Sequence, residues 1–229
     1  MKNILSALLI FASLNSFAQS FTVELEAFDE LKISRGIEAL LYKSSSNEME
    51  FEIKGLSKSD VIIEQSRHRL TIKVKTKALW EAMQENDWSV KVKIPYESIE
   101  LIDVSTGAVL KAESTIKTED LFIDSSMGGV VDIAIKSKRV TIDTGMGAVT
   151  KIKGEVETAN IDCNMGAVVR AYDLLAQSAR VEASMGGIVK VYCTKEFDGS
   201  ASMGGEITVK GNPEKSFESE SMGGEIDSY

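Results

Sequence analysis

Ile123-Asp-Ser-Ser-Met127-Gly-Gly-Val-Val-Asp-Ile133 returns nineteen residues later as Ile142-Asp-Thr-Gly-Met146-Gly-Ala-Val-Thr-Lys-Ile152, and again as Ile161-Asp-Cys-Asn-Met165-Gly-Ala-Val-Val-Arg-Ala171. Three further copies centre on Met185, Met203 and Met222, so the six methionines are spaced 19, 19, 20, 18 and 19 residues apart. An earlier copy, Thr106-Gly107-Ala108, precedes Met127 by 21 residues. A fixed period near 20 marks a solenoid, in which each copy is one coil that cannot bury its apolar face alone.

With Met as zero, the even positions are apolar or small. Position minus four holds Ile102, Ile123, Ile142, Ile161 and Val181. Position plus two is Gly or Ala throughout, and plus four runs Leu110, Val131, Thr150, Val169, Val189, Ile207 and Ile226. The odd positions are mostly polar or charged. Alternation of period two is the signature of strands with one face inward. Each copy therefore reads as a strand, a bend at Met-Gly, a second strand and a return. Coils would stack about 4.8 Å apart and place like residues in ladders. The expected fold is all-β: a right-handed, single-stranded β-helix with coils of about 19 residues. Even parity puts Met127, Met146, Met165, Met185, Met203 and Met222 inside, as a structural ladder of flexible gap-fillers beside the Gly or Ala at plus two. Sulfur exposed on the surface would instead form a rail for Cu(I), which thioethers bind.

Three segments are expected. Residues 1–18 have Lys2, a short apolar core from Ile4 to Phe11, and Ser16-Phe17-Ala18 before a cut at Gln19, the pattern of a secretory signal peptide. Residues 19–98 are β-rich but irregular and read as opening coils and a cap, with one short helix at 78–84. Residues 99–229 are the regular repeats. The last copy carries Glu218 and Glu220 at inward positions, where charge blunts edge-to-edge growth. No second stretch is apolar enough to span a bilayer, so no membrane span follows leader cleavage.

The segment Phe28-Asp-Glu-Leu-Lys-Ile-Ser-Arg-Gly-Ile-Glu-Ala-Leu-Leu-Tyr42 resembles the opening of the auto-transporter adhesin, head GIN family. Gly36-Ile37 matches the motif that names that family, while Glu38 stands where its Asn is expected. The resemblance extends over nearly the whole mature chain. It implies an exported β-helix with an adhesive role and brings no catalytic residues.

Chemistry is sparse. The formal charge of −9 disfavours nucleic acid as a partner. The one histidine, His68, lies in a basic turn, and no triad, nucleophile elbow, phosphate loop or zinc spacing is present. Cys163 and Cys193 read as buried thiols on different walls. The outward row Asp103, Asp124, Asp143, Asp162 and Glu182 supplies the candidate metal ligands, for Ca²⁺ or another hard cation. The simpler reading is a solvated face. No cofactor is implied. The functional expectation is a non-enzymatic display surface for a protein or glycan at the cell envelope. A carbohydrate-active enzyme and an envelope scaffold are the alternatives. Homo-oligomers, side by side or end to end, are compatible with such faces. Export would end in the periplasm, at the cell surface or outside the cell.

Overall fold

The computed structural model describes residues 19–85 and 87–229; the segment 1–18, expected to be a signal peptide, lies outside them. The N-terminal third contains β1 (Gln19–Glu24), β2 (Glu30–Ser34), β3 (Ile37–Lys43), β4 (Glu48–Lys54), β5 (Val61–Ser66), β6 (Arg69–Val74), α1 (Thr76–Glu85) and β7 (Ser89–Tyr96). The repeats follow as β8 (Leu101–Ser105), β9 (Val109–Ala112), β10 (Ile116–Lys117), β11 (Asp120–Ser126) and β12 (Val130–Thr144). Then come β13 (Val149–Cys163), β14 (Val168–Ala183), β15 (Ile188–Ser202), β16 (Glu206–Lys210), β17 (Lys215–Ser221) and β18 (Glu225–Ser228).

These strands wind a β-solenoid of about seven turns, with parallel pairings about 19 residues apart. Register is set by the repeat. Ile123 pairs with Ile142, Ile142 with Ile161, and Ile161 with Val181. All four side chains are buried, and Leu110, Val131, Thr150, Val169, Val189 and Ile207 are buried with them at plus four. Three buried hydroxyls in the ladders find partners: Thr144 and Thr150 lie 2.9 Å apart through their Oγ1 atoms, and Ser125 donates to the Gly129 carbonyl. Stacking lets each coil's backbone bond its neighbours, which makes an elongated all-β core possible without closure.

The methionines depart from the expected parity. Met127, Met146, Met165, Met185, Met203 and Met222 are all exposed, from 46% to 80%. At the first five Met bends the strands on both sides keep the even face inward, so the reversal is confined to the tip. Each Met has φ of 49–51° and the Gly after it 69–77°. Positive φ at both central residues, closed by bonds such as Gly129 N–H to the Ser126 carbonyl at 2.9 Å, defines a type I′ turn. Alternation holds only for extended backbone; in the left-handed pair the side chain leaves the corner on its convex side. Thus the ladder exists, but outside. With the methionines outside, the small residue at plus two does not make room for them; where it is Gly the preceding coil passes close, and a Cβ on Gly187 would stand 2.3 Å from the Cys163 carbonyl oxygen.

The cap is stacked out of chain order. β2 and β3 form a full coil whose bend, Arg35-Gly36, has the same positive φ pair as the Met-Gly bends. That coil is sandwiched: β2 pairs in parallel with β6 and β8, and β3 with β7 and β9. β4 and β5 then pair antiparallel with β7 and β6, and β1 antiparallel with β4. The helix has an inward face of Ala78 and Ala82, leaving Trp80 exposed. At the other end β17 is exposed throughout. Glu220 there accepts from the Ile226 N–H, and Glu218 from the Ser216 and Ser228 hydroxyls.

Candidate functional site

Successive bends are locked to one another. Gly36 N–H bonds the Thr106 carbonyl, Gly107 that of Met127, Gly128 that of Met146, Gly147 that of Met165, Gly166 that of Met185 and Gly186 that of Met203, at 3.1–3.2 Å. The Gly of the family-like Gly36-Ile37 motif is therefore the first rung of the same turn ladder. Trp88 covers it: a Cβ on Gly36 would lie 2.4 Å from the indole, whereas Gly147 and its equivalents face open space.

Beside the methionines runs a second apolar row. At plus three stand Val109, Val130, Val149, Val168 and Ile188, paired in register from coil to coil. They lie on the outward face, half-buried against their neighbours. Together the two rows form a ribbon of thioether and aliphatic groups along one edge, about 24 Å from Met127 to Met222 at the usual strand pitch. The aliphatic row stops at Glu206 and Glu225. Basic residues Lys111, Lys151, Arg170 and Lys190 flank it at plus five, interrupted by Asp132. The aliphatic row stands in the sequence at the same period, among odd positions that are otherwise mostly polar or charged.

The Val109 end of the ribbon opens into a concavity of about 860 Å³ on the outer wall of β1, β4, β7, β3 and β9. Glu38, Glu50 and Glu52 face Lys91, Lys93 and Lys111 around it, with Leu40 and Val109 as apolar floor. Glu50 and Lys93 are paired across strands at 4.0 Å. The balanced charge offers both hydrogen-bonding signs to an occupant and no net charge.

The acid row is in register: Asp103 beside Asp124, then Asp143, Asp162 and Glu182. Lys32 of the sandwiched coil caps it through a 2.5 Å contact with Asp103. Each coil contributes one carboxylate, so the groups stand in file. Among the described residues no three His, Cys, Asp or Glu side chains are arranged to hold a metal ion. Asp124 and Asp143 are held above the ordinary carboxylate range, chiefly by burial and then by their acidic neighbours. A raised folded pKa means that ionisation works against the fold: the favourable contribution is full below the unfolded pKa and is lost as pH rises through the folded one. Asp143→Asn is therefore expected to stabilise the protein at pH 7 by about 0.5 kcal/mol, or about 1–2 °C in melting midpoint. The gain should vanish below about pH 4. Equal gains in melts at pH 7 and pH 3.5 would exclude charge relief as the cause.

The remaining chemical groups are quiet. Cys163 and Cys193 are buried and free. Burial pushes the Cys163 thiol up to about 11 and raises that of Cys193, so neither is a ready nucleophile. His68 is exposed, 3.6 Å from Asp29. The outward ring of Tyr172 is covered by Lys210 at 4.2 Å from its centroid.

Solved structures share this fold. One titled a putative adhesin from Bacteroides fragilis superposes with a TM-score of 0.77 at 15% identity, covering 93% of this chain and 97% of the other. One titled a putative lipid binding protein from Parabacteroides distasonis gives 0.70 at 18% identity, covering 94% and 98%. A putative adhesin from Parabacteroides merdae gives 0.65 at 15%, covering 94% and 97%. No curated protein matches the chain. The model of the family described as "Putative auto-transporter adhesin, head GIN domain" matches residues 27–213, and with its Gly36-Ile37 opening and ladder of Met-Gly bends the chain belongs to that family.

Proposed function

We propose that this protein is an exported, non-enzymatic adhesin that grips an apolar segment of a protein partner along the methionine–aliphatic edge. The observation that carries this reading is the exposure of all six bend methionines beside the aliphatic row. Contiguous exposed apolar surface on a soluble fold marks an interaction site. Flexible thioethers adapt to varied partners, and the stacked coils hold the edge straight, so little order must be gained on binding. The family and the adhesin titles of its structural neighbours support an adhesive role at the surface or in the surrounding medium. The wall concavity would receive the polar flank of the partner.

The test is adhesion of labelled protein to an array of immobilised extracellular proteins, glycans and lipid vesicles. Wild type is compared with Met146→Lys and Met165→Lys. Loss of a central apolar anchor is worth about 1–3 kcal/mol, so a protein ligand should bind the variants about 10- to 100-fold more weakly at unchanged melting temperature. Unaltered binding by both would remove the edge from the site. A glycan or vesicle signal as the sole response would redirect the reading to the concave wall.

A further inference from the structure

We propose that the six bend methionines form a linear thioether site for a soft monovalent cation, Cu(I) or its analogue Ag(I). The proposal stands apart from the adhesive reading and would survive its failure.

Three observations carry it. The first is spacing. Bonds from Gly N–H to the next Met carbonyl hold the bends from Met127 to Met203 in step, and Met222 follows on the last coil, so neighbouring thioethers spring from points about 4.8 Å apart. Two metal–sulfur bonds of about 2.3 Å each, the length known for zinc thiolates, span nearly that distance. One ion fits between two adjacent rungs, and three flexible side chains can converge on one ion.

The second is conformational cost. A non-glycine residue at positive φ costs roughly 1 kcal/mol or more, and Asn or Asp relieves much of it. Arg35 and Thr106 occupy the same rung position with φ of 65° and 54°. The turn therefore does not require methionine. Keeping it six times, against propensity and outside the core, points to a demand on the side chain itself. Met49, fully buried, shows the ordinary packing use in the same chain.

The third is donor chemistry. The row is all sulfur, with small residues (Ser126, Gly145, Asn164, Ser184, Ser202 and Ser221) just before each Met. Thioether donors without imidazole or carboxylate favour soft Cu(I) over zinc, calcium or magnesium. A chain of net charge −9 also favours a cation electrostatically.

The experiment titrates silver nitrate into protein labelled at the methionine methyl carbons. A Cys163→Ala/Cys193→Ala background removes the thiols. The rung methyls should shift together and saturate at two to three ions per chain, while the Met49 methyl stays put. Chelation by fixed neighbours should make binding at least ~100-fold tighter than to free methionine. Met165→Leu, which interrupts the row, should weaken it by about tenfold, and leucine at all six positions should abolish it. Protein with norleucine in place of methionine repeats the test with shape kept and sulfur gone. Affinity within about threefold of free methionine would overturn the proposal, as would silver binding retained without the six sulfurs.

Discussion

Alanine in place of Gly154 is expected to lower the melting midpoint by about 6–12 °C, the equivalent of about 3 kcal/mol. Gly154 lies mid-strand in β13, at φ 120°, where its Cα passes directly over the coil beneath. A Cβ built there meets the Ile135 carbonyl oxygen at 1.9 Å, and the Ile135 carbonyl carbon and nitrogen at 3.0 and 3.2 Å. Backbone cannot swing aside as a side chain can, because Ile135 and Gly154 are register partners in the ladder between β12 and β13. The substitution therefore adds overlap to an unfavourable dihedral. Gly147→Ala is the control. Its φ of 70° is also unfavourable, but nothing lies within 4 Å of the new methyl, so about 1 kcal/mol is expected. Thermal melts by circular dichroism compare the two. Equal losses would mean that coil-to-coil approach at Gly154 is not the constraint.

The second large effect separates the inside of the ladder from its edge. Ile142→Ala should cost about 3–4 kcal/mol, because Ile142 is fully buried between Ile123 and Ile161 and the rigid stack cannot collapse to fill the space. Met146→Asn, four residues on, should do the opposite. It removes a side chain 47% exposed and places at φ 51° a residue that tolerates the left-handed region, for a gain of about 0.5–1 kcal/mol. Chemical denaturation of both variants checks the pair. A loss of 2 kcal/mol or more for Met146→Asn would place the thioether in the core after all.

These two positions show where sequence reasoning held and where it stopped. Ile142 sits in extended strand, where direction follows from counting residues by twos. Met146 sits at a corner, where direction follows from φ. Met-Gly does not announce a left-handed pair as Asn-Gly does. Once the methionines are placed inward, the valines three residues later look like isolated exceptions on a polar face. Placed outward, they complete a ribbon. The concave wall was beyond reach for a different reason. Its residues come from β1, β3, β4, β7 and β9, which meet because the β2–β3 coil is sandwiched between β6–β7 and β8–β9 and because β4 adds antiparallel to β7 and β1 to β4.

By itself, the order of residues determined the solenoid, its 19-residue coil, the buried aliphatic ladders and the file of acids, because period-two burial and a constant repeat are local properties that survive stacking. Only the tertiary structure decided that the methionines face water, that an apolar ribbon and a charged concavity share one edge, and that the cap is wound out of sequence. Those outcomes depend on backbone handedness at a two-residue bend and on which distant strands pair, and neither is written in the spacing of side chains.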